Sequence, residues 1–185
     1  MRIQGPIVVI GFKGSGKSLI GEKLAGRLGL RFVDSDSLIE TIYKDREGEA
    51  LSFREIYRKL GRERFMEMER EAVAAALSEK DRVISLGGGT LMNTGGIDMK
   101  ESGATFVYLT VDKDTLFERI LTGGTPAFVD KDDPRRSLAE YYEKRLPVYE
   151  KYADITVDNT NRTPDEVVDE ILKALETLPR EEKNS

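Results

Sequence analysis

The chain of 185 residues contains no cysteine and no histidine. Their absence excludes disulfide bonds, thiolate nucleophiles, imidazole acid–base chemistry and zinc sites built from either residue type. Proton transfer in any reaction must therefore fall to Asp, Glu, Lys or Tyr. No apolar run approaches the roughly 18 residues that mark a transmembrane helix, and no signal-type region precedes the first apolar run. We expect a cytoplasmic protein that makes no membrane contact.

The composition predicts one globular domain. Hydrophobic residues make up 39% of the chain and charged residues 34%, which suits a solvated surface around one sizeable core. We place this domain at residues 1–178 and a frayed polar tail at residues 179–185. Because a formal net charge of −5 supplies no overall basic field, we expect no nucleic-acid partner. The expected state is a monomer that acts on a small molecule.

A glycine-rich stretch at residues 11–18 organises the chain. It reads G-x-x-G-x-G-K-S and lies between an apolar run at residues 6–10 and a helical pattern that ends at Gly29. Glycines allow backbone N–H groups to turn inward, and the positive end of the following helix completes a nest for phosphate. A plain strand-to-helix turn would need neither the lysine nor the hydroxyl. We therefore predict ATP binding by Gly14, Ser15, Gly16, Lys17, Ser18 and Leu19.

Two residues of this stretch have predicted chemical roles. Lys17 is expected to reach the β- and γ-phosphates and is a predicted catalytic residue, while the Ser18 hydroxyl is a predicted magnesium ligand. The expected cofactors are thus ATP and Mg²⁺. Phosphoryl transfer requires in-line positioning and positive charge on the equatorial oxygens more than covalent work, and a lysine and a metal supply that charge.

Two carboxylates follow the strand predicted at residues 30–33. Asp34 and Asp36 stand at its carboxyl end, which faces the ligand crevice in an open α/β sheet. We predict that one holds the water shell of the metal, while the other meets the acceptor hydroxyl and takes its proton. If the extended geometry persists, both side chains point the same way. The alternative is that Asp36 caps a helix beginning at Ser37.

The rest of the chain alternates strands with helices. Further strands are predicted at residues 82–86, 104–109 and 155–157. Five strands alternating with helices predict an α/β architecture, namely a three-layer P-loop nucleotide-binding fold whose five-stranded parallel sheet carries helices on both faces. A long helix is expected at residues 134–151 with an interruption at Pro147, and a final helix follows Thr163.

The segments between these elements are candidates for the substrate side. Helices at about residues 37–79, including two that meet at Gly61, are predicted to bind the substrate, with a loop at residues 44–50. Three glycines, Gly87, Gly88 and Gly89, follow a strand directly and permit close approach of backbone to ligand. Residues 122–134 lack periodicity and are a candidate lid, with a plain exposed connection as the alternative.

Several motifs, in this order along the chain, resemble the shikimate kinase family. They are the loop at residues 11–18, the D-x-D at Asp34 and Asp36, the glycines at residues 87–89, the K-R-L-P-V-Y at residues 144–149 and the N-R-T-P at residues 161–164. The resemblance spans nearly the whole chain. It implies a reaction in which ATP and shikimate give ADP and shikimate 3-phosphate.

The resemblance also implies roles for individual residues. Ser18 and Asp34 would serve the magnesium ion, and Asp36 would meet the acceptor hydroxyl. Arg162 would lie beside the adenine. The substrate carboxylate and hydroxyls would be held by Gly87, Gly88, Gly89 and Arg145.

Three features depart from the family pattern. Met66 stands where the pattern has an arginine that clamps the substrate carboxylate, and Thr125 stands where it has a lid arginine. The stretch at residues 41–53 is several residues longer than the pattern. A charge-assisted hydrogen bond is worth roughly 1.5–3 kcal/mol, so a lost arginine fork would weaken shikimate binding. Candidates for compensation, with solvated surface charge as the alternative, are Arg62, Arg70, Lys131, Arg135 and Arg136.

These departures leave three hypotheses. The leading one is an ATP-dependent kinase that phosphorylates shikimate. A second is a related kinase for a different hydroxylated acceptor, which the neutral Met66 favours. A third is a weakly catalytic nucleotide-binding regulatory module, which the absence of the lid arginine favours, whereas the presence of Lys17, Asp36 and Arg145 argues against it.

Overall fold

A computed structural model describes residues 5–94, 99, 101–123, 129–130 and 132–178. Its centre is a sheet in the order β2-β3-β1-β4-β5, in which every neighbouring pair is parallel. The strands are β1 (Ile7–Ile10), β2 (Arg31–Asp34), β3 (Arg82–Ser85), β4 (Thr105–Thr110) and β5 (Ile155–Asp158). The predicted five-stranded parallel α/β sheet is confirmed.

Helices connect the strands. They are α1 (Lys17–Leu28), α2 (Ser35–Glu47), α3 (Phe53–Leu77), α4 (Thr90–Asn93), α5 (Lys113–Thr122), α6 (Pro134–Tyr152) and α7 (Pro164–Thr177). The strand order places the ends of β2, β3 and β1 side by side. The segments that follow these strands carry the predicted metal, substrate and phosphate residues, so they meet at one edge of the sheet.

The two faces of the sheet are covered by different helices. The side chains of β1 are fully buried and alternate, with Ile7 and Val9 packing towards α1 and α7 and Val8 and Ile10 towards α3, α5 and α6. A smaller cluster between α2 and α3 is centred on Ile39 and Ile56. Helices on both faces were predicted, and this arrangement confirms the three-layer fold.

The start of α2 differs from the prediction. The Asp34 side chain accepts a hydrogen bond from the backbone N–H of Asp36 at 3.0 Å, so Asp34 caps the helix and Asp36 lies in its first turn. The expectations that Asp36 caps a helix beginning at Ser37, and that it continues the extended strand, are therefore wrong. The helix also runs on to Glu47 and ends at Gly48, whose φ is 71°, so the loop predicted at residues 44–50 is largely helical.

Helix α3 breaks at Gly61 as predicted, whereas the interruption predicted at Pro147 of α6 is absent. Gly61 has φ 74° and ψ 174°, which separates two helical halves of α3. Pro147 lies inside α6 without ending it, because the neighbouring Tyr149, only 1% exposed, packs into the core and holds the last turns in place. Helix α4 was not predicted.

Two predicted segments lie partly or wholly outside the described residues. The candidate lid at residues 122–134 includes residues 124–128 and 131, which are not described, and the same holds for the tail at residues 179–185. Among the helices of the described residues, none combines the length and the apolar character needed to cross a bilayer.

Candidate active site

The loop between β1 and α1 has a backbone that only glycine accommodates. Gly14 and Gly16 have φ of 84° and 91°, in the left-handed region, and Gly16 is the N-cap of α1 without a side-chain cap. A Cβ at Gly16 would lie 2.6 Å from Asn159 Nδ2, and one at Gly11 would lie 2.7 Å from the Leu109 carbonyl oxygen. The first N–H groups of α1 are therefore left for an anion.

Lys17 is held inside this loop. Its ammonium donates to the Phe12 carbonyl oxygen at 2.8 Å, and the residue is only 9% exposed. Burial lowers the pKa of Lys17 to about 8, and Asp36 and Asp34 oppose that shift. A charged group with so little water around it interacts strongly with a phosphate that replaces the lost solvation.

An asparagine from the far end of the chain supports the loop. Asn159 follows β5 and donates from Nδ2 to the Ser15 carbonyl oxygen at 2.8 Å. The Ser15 hydroxyl is buried and has no hydrogen-bond partner among the described residues. Arg119 in turn donates to the Asn159 carbonyl oxygen at 3.2 Å. Sequence reasoning missed Asn159, although it lies two positions before the segment at residues 161–164 singled out for the nucleotide.

Ser18 and Asp34 form an oxygen pair beside the loop. The Ser18 hydroxyl donates to Asp34 Oδ2 at 2.8 Å and lies 3.4 Å from the Ser85 hydroxyl. No group of three or more Asp, Glu, His or Cys in the described ranges could enclose a metal ion. Mg²⁺ commonly uses one or two carboxylates together with phosphate oxygens and waters. The donor set therefore fits Mg²⁺ that arrives with a nucleotide.

Asp36 faces the glycine turn. Its Oδ1 lies 2.8 Å from where a Cβ of Gly87 would stand, so the absence of a side chain at Gly87 makes room for the carboxylate. Burial raises the pKa of Asp36 to about 6, the Asp34 and Glu69 carboxylates add to the rise, and Lys17 opposes it. The structure thus brings Asp36 next to the backbone that sequence reasoning assigned to the substrate.

The glycine turn is held from two sides. On one side the Gly87 N–H donates to the Ser35 hydroxyl at 2.8 Å. On the other the Gly88 carbonyl oxygen accepts from the Arg145 guanidinium and from the Tyr149 hydroxyl. Arg145 also stacks on the Tyr141 ring, with 3.6 Å between the guanidinium carbon and the ring centroid. Two elements distant in sequence thereby fix the position of this backbone.

Aromatic rings of α6 also reach the phosphate loop. Phe12, which is 3% exposed, stacks on Tyr142 with ring centroids 4.6 Å apart and planes at 13°. Its ring meets Tyr149 edge-on at 4.8 Å and 72°. The residue whose carbonyl holds Lys17 is therefore anchored by the helix that carries Arg145.

Sequence reasoning also missed Glu69. This residue of α3 is 5% exposed, and its carboxylate accepts from the Thr90 hydroxyl at 2.8 Å and from Asn93 Nδ2 at 3.0 Å. Burial raises the pKa of Glu69, while these hydrogen bonds oppose the shift. Glu69 stands in a segment rich in glutamate and arginine, so no local signal separated it from surface charge.

Arg162 is fastened to the corner between β5 and α7. It donates to the Asp158 carbonyl oxygen at 3.0 Å, to Glu170 Oε2 at 2.6 Å and to the Glu166 carbonyl oxygen at 3.1 Å. Leu19 of α1 is 52% exposed, as a residue lining an open nucleotide site can be. The predicted role of Arg162 beside adenine stays a prediction.

Some of the arginines considered for compensation have other partners. Arg135 pairs with Asp114 at 3.7 Å, and Arg136 pairs with Glu140 one turn along its own helix at 3.0 Å. Arg70 lies beside Glu69 and lowers the pKa of that carboxyl, against the effect of burial. Thr125 and Lys131 lie outside the described residues.

Comparison with known proteins shows the family of the chain. A model of the shikimate kinase family matches residues 13–176. The chain belongs to the shikimate kinase family. The family is one of ATP-dependent small-molecule kinases, and the phosphate loop, the buried lysine and the adjacent carboxylates are the parts that such an enzyme requires.

Relatives match over almost the full length of the chain. A shikimate kinase of Mycobacterium avium (strain 104) is 39% identical over 171 residues, with 91% of this chain and 92% of the relative covered. A shikimate kinase of Thermodesulfovibrio yellowstonii is 34% identical over 173 residues, with 93% and 95% covered. The crystal structure of shikimate kinase from Aquifex aeolicus has a TM-score of 0.74 at 34% identity, with 92% and 96% covered.

Proposed function

We propose that this shikimate kinase family member transfers the γ-phosphoryl group of ATP to a hydroxyl of shikimate. The acceptor oxygen forms a bond to the γ-phosphorus while the bond from that phosphorus to the bridging oxygen of ADP breaks, and the acceptor proton passes to Asp36. The observation that carries the proposal is the meeting of Asp36 with Gly87, beside a turn that Arg145 holds. This is an acceptor site next to a phosphate loop.

On the donor side, the N–H groups at the start of α1 would bind the phosphates, and Lys17 would place its charge on the β- and γ-phosphate oxygens. Ser18 and Asp34 would hold the magnesium ion, which when bound supplies further positive charge to those oxygens. The exposed Leu19 and the Arg162 corner would border the nucleoside.

On the acceptor side, Asp36 would orient the hydroxyl and accept its proton as the phosphorus bond forms. Burial disfavours the charged form of this carboxyl, so a proton that arrives there is well accommodated. Gly87, Gly88 and Gly89 would allow the ring of the substrate to approach the backbone, and Arg145 would provide hydrogen-bond donors and charge.

The wider organisation is part of the same proposal. Residues 1–178 form one kinase domain in which the helices at about residues 37–79 cover the acceptor and residues 122–134 act as a lid. We further propose a cytoplasmic monomer that binds neither nucleic acid nor membrane. The formal net charge of −5 supports the absence of a nucleic-acid substrate.

A coupled assay of ADP release tests the function. Purified protein is incubated with ATP and Mg²⁺ and a panel of polyols and hydroxy acids that includes shikimate. The proposal expects release that depends on shikimate, with shikimate 3-phosphate identified by mass spectrometry. Release with a different acceptor alone would indicate a related kinase, and tight ATP binding without release for any acceptor would indicate a regulatory module.

A further inference from the structure

We infer that Lys13 and Arg54 together bind the carboxylate of the acceptor. The inference rests on the proposed function and concerns its substrate specificity. Lys13 belongs to the phosphate loop, whereas Arg54 lies in the first turn of α3. Lys13 stands at a variable position of the loop motif G-x-x-G-x-G-K-S.

The negative charge around Asp36 means that a carboxylate ligand requires cations such as Lys13 and Arg54 beside it. Three carboxylates lie around Asp36, so the acceptor side is rich in negative charge. Asp34 accepts from the Asp36 N–H at 3.0 Å, and Glu40 stands one helical turn further along α2. Glu69 accepts from the Thr90 hydroxyl, which lies 2.9 Å from where a Cβ of Gly87 would stand. A carboxylate ligand that enters this region is repelled unless cations face it. Lys17 is engaged inside the phosphate loop, and Met66, a neutral residue, contributes no charge. Among the described residues assigned to the acceptor, Arg145 is then the one cation that faces the carboxylate of the substrate.

Lys13 is placed at the glycine turn. Its backbone nitrogen lies 3.2 Å from where a Cβ of Gly88 would stand. Gly88 is the residue whose carbonyl oxygen accepts from Arg145, and the preceding Gly87 faces Asp36. The backbone of Lys13 therefore packs against the same glycine turn that Asp36 and Arg145 contact. Its side chain is half-buried.

Arg54 stands in the first turn of α3, with its guanidinium carbon 5.6 Å from the centroid of the neighbouring Phe53 ring. The N–H of the preceding Phe53 donates to Glu40 Oε1 at 2.9 Å, which ties the first turn of α3 to α2. Glu40 stands one helical turn after Asp36 on α2, so the two carboxylates share a face of that helix. The first turn of α3 thus lies over the helix face that carries Asp36.

The two cations stand at one region of the site. Lys13 lies at Gly88, and the first turn of α3 lies over the neighbouring α2 face, so both cations stand at one region. In agreement, burial and the Arg54 charge both lower the pKa of Lys13. In the part of the chain that the structure describes, neither residue forms an ion pair. Elsewhere exposed cations do so, as Lys23 does with Asp165 at 2.8 Å and Arg27 with Asp169 at 2.9 Å. Two adjacent unpaired cations favour an anionic ligand between them.

The test compares shikimate with its methyl ester, which keeps the hydroxyls and removes the charge. For the wild type, for Lys13→Met, for Arg54→Gln and for the double variant, kcat and KM are measured with both acceptors. Each single variant is expected to raise KM for shikimate about tenfold to a hundredfold and to leave KM for the ester and for ATP within about threefold. The preference for shikimate over the ester should nearly vanish in the double variant.

Matched controls separate charge from fold. Arg58→Gln removes the same charge one turn further along α3, where Arg58 is exposed and faces Glu55, and should change no constant by more than about twofold. The charge-preserving variants Lys13→Arg and Arg54→Lys should keep most of the preference for shikimate. An equal loss with both acceptors, or a loss in kcat without a change in KM, would overturn the inference.

Calorimetry of shikimate binding in the presence of ADP distinguishes a failure of this inference from a failure of the proposed function. If shikimate binds in a manner that depends on Lys13 and Arg54 but is not phosphorylated, the proposed function fails and the inference stands. If shikimate is phosphorylated with the same KM in all variants, the inference fails and the proposed function stands. A wild-type protein that does not bind shikimate overturns both.

Discussion

The donor and acceptor sides of the site are built in different ways. On the donor side Lys17 bonds to Phe12, only 5 positions away, and the loop is shaped by glycines of one continuous motif. On the acceptor side Arg145 reaches Gly88 from 57 positions away, and Ser35 accepts from Gly87 across 52 positions. The first side is shaped mainly by its own motif, with a support from Asn159 144 positions away, whereas the second is assembled by the tertiary structure. Changes in the acceptor side can therefore alter specificity while the phosphate loop stays intact.

The largest expected effect comes from Asp36→Asn, which leaves the shape of the acceptor side and removes its proposed base. We expect kcat with shikimate to fall by about 10²–10⁴-fold, because amide oxygen cannot take the acceptor proton. Steady-state kinetics by ADP release measure the change. Asp45→Asn, on the exposed part of the same helix, is the matched control. Turnover within a few-fold of wild type would show that Asp36 is not the acceptor-side carboxylate.

The next effect tests the donor side. Lys17→Met keeps an apolar stem in the buried position and removes the ammonium, so we expect kcat to fall by about 10²–10³-fold with all acceptors alike. Lys23→Met, which breaks only an exposed ion pair with Asp165, should leave kcat unchanged. If the loss of kcat differed between acceptors, the two sides would not act independently, because Lys17 is expected to contact only the phosphate donor.

Arg145→Lys tests the acceptor side through binding. Lysine keeps the charge but cannot stack flat on Tyr141 and also donate to Gly88, so we expect KM for shikimate to rise about tenfold with a smaller change in KM for ATP. Arg136→Lys on the exposed face of the same helix serves as the control. Equal increases in both KM values would mean that Arg145 acts through the fold and not through the substrate.

A smaller effect is expected from Asn159→Ala, which removes a support of the phosphate loop from outside the motif. The Ser15 carbonyl oxygen loses its buried donor, and we expect the free energy of unfolding to fall by about 1–3 kcal/mol with a modest rise in KM for ATP. Urea denaturation measures the first and kinetics the second. If KM for shikimate rose more than KM for ATP, the donor side would not be the side that Asn159 supports.

The smallest effect concerns Glu69, and it depends on pH. Burial raises the pKa of Glu69, so the folded state favours its protonated carboxyl. The stabilisation that results is complete below the ordinary pKa of 4.5 and is lost as pH rises through the pKa that Glu69 has in the folded state. Glutamine does not titrate. The stability advantage of wild type over Glu69→Gln should therefore shrink between pH 4 and pH 8 in urea denaturation. An advantage that grows with pH would mean that the hydrogen bonds from Thr90 and Asn93 outweigh burial.

The contrast between local and long-range contacts also explains which features could be predicted from the sequence. The five strands, the loop at residues 11–18 and the break at Gly61 depend on local periodicity and on glycine, and each was predictable. The start of α2 was not, because Asp34 and Asp36 both suit a cap and only the backbone geometry decides between them. Glu69 and Asn159 owe their roles to partners far away in the chain, at 21 and 144 positions for Thr90 and Ser15, and no local pattern records such contacts.

One ring joins the two sides. Tyr149 meets Phe12 of the phosphate loop edge-on and also donates from its hydroxyl to Gly88 of the glycine turn. Since both contacts come from one side chain on α6, a small displacement of that helix would carry donor and acceptor along together. The proposed donor and acceptor sides are therefore fixed relative to each other by one side chain, and in-line phosphoryl transfer depends on that relative position.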